Sequence, residues 1–203
     1  HSSLDRRAAL SARRRDVPTA LVFTRHQRTL TFPLEMWWQS RRIERWIAVS
    51  PSVAHGIIGR GADANKVRVV PNGLPPEFLA PVDPAAIAAA RAVLERLPGA
   101  PIVGVVARRK EQQVVLRAAR HIKRPLNIAF VGIPSEPALE MLAAALPHHA
   151  VTFVPFVSDP RPYYACLRAS LLPSRLEGLS ITQLETLALG IPFVGSRAAG
   201  IPD

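Results

Sequence analysis

Cysteine is almost missing from this sequence: Cys166 is the single one among 203 residues. One thiol excludes an internal disulfide framework and a zinc site built on several thiolates, and it fits a reducing, cytoplasmic compartment. Set among Tyr164, Leu167 and Ala169, it reads as a core residue. Lysine is nearly as scarce, since Lys66, Lys110 and Lys123 leave arginine to supply the rest of the 26 basic residues. No apolar run approaches the ~18 residues needed to cross a bilayer, which argues against an integral membrane protein. Internal repeats and low-complexity tracts are absent as well. His148 and His149 have no cysteine nearby, so they read as exposed loop and no metal site is expected.

What is present is globular in character. Apolar residues make up 48% of the chain and charged residues 20%, enough to build a core. The formal charge is +11. Arginine forks suit phosphates and carboxylates, so the surplus favours anionic partners, although a GC-rich coding sequence would raise Arg, Ala and Pro together. A nucleic-acid partner would rest on that charge alone, with no binding motif or aromatic platform, and is not expected.

Short β-branched runs alternate with helical stretches along the whole chain. Strands are expected at 20–24, 46–49, 67–70, 102–106, 127–131, 151–154, 170–172 and 192–195. Helices are expected near 3–14, 33–44, 51–59, 84–96, 111–121, 135–146, 160–168 and 181–189. This rhythm predicts an α/β protein with parallel sheets covered on both faces. Residues 71–84 read PNGLPPEFLAPVDP, with five prolines, and proline cannot sit inside a sheet or helix. The segment therefore reads as a semi-rigid connector. Three parts are expected: an amino-terminal Rossmann-like unit over 1–73, a connector over 74–100, and a second Rossmann-like unit over 101–203. The first is short of the ~100–150 residues of a complete doubly wound domain. The sequence opens at His1 with no charged-then-apolar stretch and stops at Asp203 directly after the strand-like IPFVGS and a loop. Both units are expected to be incomplete, as in an internal fragment.

The most informative stretch is 170–203, SLLPSRLEGLSITQLETLALGIPFVGSRAAGIPD. Ser180 and Gln183 stand three apart before an apolar run, as in a capping box, and Gly190 and Pro192 stop the helix. Residues 175–179 then occupy a strand-to-helix loop at the carboxyl edge of a parallel sheet, where open α/β folds bind ligands. Gly178 permits close backbone approach, and the first-turn amides near Leu179 and Ser180 offer an anion site. Glu177 in the loop and Glu185 on the helix are unhelpful to a phosphate but suit vicinal hydroxyls, each oxygen accepting one O–H bond. Carboxylates on either side of a phosphate cradle point to a nucleotide-sugar.

The spacing Glu177-x7-Glu185 within PSRLEGLSITQLETLALGIPFVGS resembles the E-x7-E segment of family 4 retaining glycosyltransferases of the GT-B fold. Upstream, in order, IAVSPSVAHGIIGRGADANKVRVVPNGLPPEF, VGVVARRKEQQVVLRAA, LNIAFVG and VTFVPFV are similar to that family's successive segments. The likeness covers roughly residues 20–203. It implies that Glu185 accepts hydrogen bonds from the nucleotide ribose, and that Glu177 holds hydroxyls of the transferred sugar. It also puts amides of Gly178, Leu179 and Ser180 on the donor, and Arg108 and Lys110 on the diphosphate, where they stabilise the leaving group. The family spaces its Arg and Lys about five positions apart, whereas ARRKEQ is compressed, so Arg108 and Arg109 both remain candidates for the diphosphate contact. Pro155 stands where the family commonly carries Gly, so the base-reading loop is expected to differ. His26 in TRHQ matches a frequent family histidine that touches phosphate or sugar, against the alternative of a packed or exposed ring. Asn72-Gly73 is either a plain turn or a hinge facing the cleft. No Asp-x-Asp pair is present, and no metal or other cofactor is expected.

The implied activity is transfer of a sugar from a nucleotide-diphospho-sugar to a saccharide or lipid-linked acceptor hydroxyl. Two alternatives stay open: a degenerate module that binds the nucleotide-sugar without turnover, and an epimerase on the same fold. The isolated chain is expected to show little or no catalysis. Residues 1–45 carry ten arginines against four acids, with Trp37 and Trp38 in their midst. That composition suits an anionic membrane surface, or else an amphipathic helix with its tryptophans in the core.

Overall fold

The computed structural model describes residues 3–12, 20–26, 32–198 and 200–202, with the backbone alone for 3–7. It divides into two units, each built on a wholly parallel sheet. The amino unit comprises residues 1–72 together with 176–180 and 197–203, and the carboxyl unit comprises 73–175 and 181–196.

In the amino unit, α1 (Ser3–Ala12), β1 (Val22–Arg25), α2 (Pro33–Ser40), β2 (Arg45–Ala48), α3 (Pro51–Ile58) and β3 (Val67–Val69) follow one another. The sheet order is β1-β2-β3. Both α2 and α3 start for a local reason. Pro33 and Pro51 sit in the first turn, where a missing N–H costs nothing, and the Ser50 hydroxyl accepts the Val53 amide at 3.3 Å. The core packs Met36, Ile43, Trp46, Val53 and Ile57 around the middle strand. Lys66 closes the end of α2 by donating to the carbonyls of Ser40 and Ile43.

The carboxyl unit runs α4 (Pro84–Leu94), β4 (Ile102–Val106), α5 (Gln112–Ala119), β5 (Asn127–Val131), α6 (Pro137–Ala144), β6 (Ala150–Val154), α7 (Arg161–Tyr164), β7 (Ala169–Leu172), α8 (Ile181–Ala188) and β8 (Phe193–Gly195). Its strands lie in the order β6-β5-β4-β7-β8. Alternate residues of each strand face opposite sides, as the pleat requires. Ile102, Val106, Ala129 and Val131 pack on one face with Leu94 and Tyr164, while Val105, Ile128 and Phe130 pack on the other with Leu116 and Leu139. This two-sided burial explains the near-continuous apolar strands of the sequence. Gly190, at φ +68°, ends α8 in the left-handed conformation, and the Ile191 amide reaches back to the Thr186 carbonyl.

Two expectations about the units are corrected. Residues 74–100 are not a connector. Ala90 and Leu94 of α4 are buried in the carboxyl core, with Phe78 and Ile87 packed against it. Arg161, bidentate on Asp159, also donates to the Glu77 carbonyl and holds the proline-rich stretch down. Proline kept this stretch out of regular structure without keeping it out of the core. Second, 101–203 is not one continuous unit, because 176–180 and 197–203 group with the amino residues. The unit boundary itself falls between Asn72 and Gly73.

Candidate functional site

The sheet of the carboxyl unit reverses its strand order at β4. Chain succession runs outward through β5 and β6 on one side and restarts at β7 on the other. Such a reversal opens a crevice at the carboxyl ends of the two central strands, where α/β sheets bind ligands. The loop leaving β4 carries Arg108, Arg109 and Lys110 to that edge. It packs tightly on the next loop: Gly132 has φ +107°, and a Cβ there would lie 2.9 Å from the Ala107 carbonyl oxygen.

Gln112, fully buried at the start of α5, folds the basic loop back on itself. Its Oε1 accepts the Lys110 amide at 2.8 Å and its Nε2 donates to the Arg108 carbonyl at 3.0 Å. The three cations then differ. Arg109 forms an ion pair with Glu136, at the start of α6. Arg108 is exposed and has no ion pair among the described residues, and Lys110 is half-buried. Beside them Glu111 accepts from Gln113 at 2.7 Å and pairs with Arg175 Nε at 3.5 Å.

Glu185 reaches the same strand from α8. The Thr182 hydroxyl donates to the Val106 carbonyl at 2.9 Å, and the Thr186 hydroxyl to the Thr182 carbonyl, so α8 is tied to the end of β4. Tyr164, fully buried, donates its hydroxyl to Glu185 Oε2 at 2.8 Å. Burial pushes the Glu185 carboxyl above its ordinary range, and the Tyr164 bond offsets part of that shift. Burial, followed by the Glu185 charge, pushes the Tyr164 phenol up too, so it stays protonated and remains a donor. Cys166 is buried, its Sγ donates to the Pro162 carbonyl at 3.3 Å, and burial raises its thiol away from the reactive range.

Glu177, Gly178, Leu179 and Ser180 belong to the amino unit. Glu177 is buried, and so are Gly178 and Ser180. The Glu177 carbonyl accepts the Gly200 amide at 3.1 Å, and Leu179 packs against the amino core. The Asn72 side chain donates to the Leu179 carbonyl at 3.5 Å, a role beyond the turn read from Asn72-Gly73. His26 is exposed just past the carboxyl end of β1. On α2, Trp37 and Trp38 are 45% and 44% exposed, with the guanidinium groups of Arg41 and Arg42 each 3.9 Å over their rings.

The carboxyl unit thus gathers Arg108, Arg109, Lys110 and Glu185 around the end of β4, while Glu177 to Ser180, Asn72 and His26 lie in the amino unit. Sequence reasoning missed Gln112, Tyr164 and Arg175. The one sequence signal for Gln112 is a glutamine pair, Gln112-Gln113, opening the helix QQVVLRAA directly after the basic loop. His149 is not loop surface, since its Nε2 lies 3.1 Å from the carbonyls of Ala119 and Ile122 at the end of α5. Among the described residues no group of three or more His, Cys, Asp or Glu could hold a metal ion, and no helix is long and apolar enough to cross a membrane.

Two wholly parallel α/β units, the second reversing its strand order over a cationic loop, define the GT-B class. Structures of that class overlay the chain. The Anabaena protein HepE, crystallised in complex with UDP and glucose, has a TM-score of 0.73 at 20% identity, over 97% of this chain and 56% of that one. Sucrose-phosphate synthase of Thermosynechococcus elongatus has 0.71 at 22% identity, over 92% and 52%. The profile of the family described as Glycosyl transferases group 1 matches residues 100–203, and that described as Glycosyltransferase Family 4 matches residues 1–78. The chain belongs to the group 1 glycosyl transferases. Among curated relatives, the D-inositol 3-phosphate glycosyltransferase of Nocardia farcinica is 34% identical over 158 residues, 70% of this chain and 34% of that protein. The O-antigen biosynthesis glycosyltransferase WclY of Escherichia coli is 34% identical over 70 residues, 34% of this chain and 20% of that protein. The chain therefore spans about a third or less of these curated relatives and just over half of the solved structures.

Proposed function

We propose that the protein transfers a sugar from a nucleotide-diphospho-sugar to an acceptor hydroxyl, with retention at the anomeric carbon. The observation that carries this reading is the meeting of the Arg108–Lys110 loop and the hydroxyl-accepting Glu185 around the end of β4. Cations suit the diphosphate and the carboxylate suits a ribose diol. Arg108 is assigned to the diphosphate in preference to Arg109, whose charge is engaged by Glu136. With Lys110 it neutralises the charge that develops on the departing diphosphate, which requires no metal. Glu177 holds hydroxyls of the transferred sugar, with amides of Gly178, Leu179 and Ser180 and the His26 ring as further donor contacts, and Asn72-Gly73 is the hinge. The O-antigen role of WclY supports a place in cell-envelope polysaccharide, lipopolysaccharide or glycolipid synthesis, and the single cysteine favours a reducing, cytoplasmic setting for it.

The acceptor is a saccharide or a lipid-linked sugar. The stacked Arg41–Trp37 and Arg42–Trp38 pairs favour an anionic membrane as its surface. Co-sedimentation with anionic but not neutral liposomes is the expected result, and equal recovery with both removes the membrane from the reading.

Donor binding is tested by calorimetry of the chain against UDP, GDP, ADP and their sugar conjugates. One nucleotide is expected to bind, with binding lost in Glu185→Ala and weakened in Lys110→Ala. The isolated chain is expected to bind without appreciable turnover. A folded sample that binds none of these nucleotides overturns the donor site.

A further inference from the structure

We infer that Tyr164 is the positioning residue that gives the donor site its preference for a ribose over a deoxyribose, by fixing the carboxylate of Glu185. The inference rests on the reading of Glu185 as the ribose acceptor.

A glutamate on a partly exposed helix face has several side-chain torsions to order when a ligand arrives, and that ordering weakens binding. Here the ordering is done in advance. The ring of Tyr164 is fully buried in the core that includes Leu94, Val106 and Val131, so its hydroxyl has a fixed address. That hydroxyl donates to Glu185 Oε2 at 2.8 Å. The bond fills one lone-pair site on Oε2 and fixes the plane of the carboxylate, while the second site on Oε2 and those on Oε1 remain to accept two adjacent hydroxyls. The backbone beneath is fixed as well, because Thr186 and Thr182 link α8 to the Val106 carbonyl of β4. Helix register and side-chain torsion are thus both set before a nucleotide binds. A carboxylate held in this way rewards two adjacent hydroxyls and gains less from a single one. Core packing alone would account for the ring of Tyr164 but not for a selective effect of its hydroxyl on ribose recognition.

The test compares calorimetric affinities of UDP, GDP and ADP with those of their 2′-deoxy and 3′-deoxy counterparts, for the wild-type chain, Tyr164→Phe and Glu185→Gln. Thermal melts verify that each variant is folded. The wild type is expected to favour the ribonucleotide. Tyr164→Phe is expected to weaken the ribonucleotide about tenfold while leaving the deoxy forms within about twofold, so that the preference collapses. Equal weakening of both forms, or an unchanged preference, overturns the role of Tyr164. If Glu185→Gln abolishes the preference in that same experiment, the ribose reading of Glu185 stands without Tyr164. An unchanged preference in Glu185→Gln, or no nucleotide bound by the folded wild type, overturns both.

Discussion

Gly200 donates its amide hydrogen to the carbonyl of Glu177, and a Cβ on Gly200 would overlap the carbonyl oxygen of the next residue, Gly178. The backbone around a candidate catalytic carboxylate is therefore held by a contact that only glycine permits. The requirement is space.

Gly200→Ala is accordingly expected to force the two loops apart and to cost about 3 kcal/mol of stability, the upper end for overpacking because backbone and not a side chain must move. Gly73→Ala is the control. Nothing lies within 4 Å of a Cβ there and its φ is not positive, so the change is expected to be neutral or to stabilise by about 0.5 kcal/mol through the unfolded chain. Denaturant melts of the two variants decide the point, and equal stabilities would sink it.

Strand positions and most helices could be read from the sequence because a parallel sheet buried on both faces writes its strands as short apolar runs. Ile102–Val106 and Asn127–Val131 are such runs, and their bounds match β4 and β5. Glu185 stood out because its spacing from Glu177 resembled a family pattern, and the loop cations because they follow a strand in a segment similar to the family's, although ARRKEQ compresses the spacing there. Other features left no local trace. Tyr164 reads as one more apolar residue in a short helix, and its bond to Glu185 spans 21 positions. The contact of Gly200 with Glu177 and Gly178 likewise arises only once the turns after β7 and β8 have formed. The proline-rich 71–84 misled for a related reason: proline reports on hydrogen bonding, not on burial. Phe78 and Ile87 pack against the core although the backbone around them includes five prolines.

Glu185 carries a second consequence of its burial. Its carboxyl lies above the ordinary range in the folded chain, so the folded state holds that proton more tightly than the unfolded state does. Between the ordinary carboxylate range and the raised one, stability falls as pH rises. Above the raised value the whole cost of the buried charge is present. Glu185→Gln removes the titration while its amide oxygen still accepts from Tyr164. The variant is expected to melt higher than wild type at pH 7.5, with the difference shrinking toward pH 4, and to bind a ribonucleotide no better than its deoxy counterpart. Ligand affinity of the wild type runs the other way, weakening as pH falls and the carboxylate is protonated. A variant less stable than wild type at pH 7.5 would show that the charge is compensated in the fold.

Gln112 offers the sharpest separation between a structural and a functional role. Glu111, the residue before α5, makes no side-chain capping bond. Gln112 instead uses its amide to satisfy the Lys110 N–H and the Arg108 carbonyl, out of contact with water. Gln112→Ala leaves both of those groups without their partner and is expected to cost about 2–3 kcal/mol. Gln112→Glu retains an acceptor for Lys110 but has no donor for Arg108, so it should fall between wild type and the alanine variant. The loop it folds carries the two cations assigned to the diphosphate. Both variants should therefore weaken a nucleoside diphosphate several-fold and leave the corresponding nucleoside unaffected. Calorimetry with the diphosphate and the nucleoside side by side reads this directly. Parallel loss of both ligands would mean that Gln112 supports the unit as a whole and does not shape the basic loop.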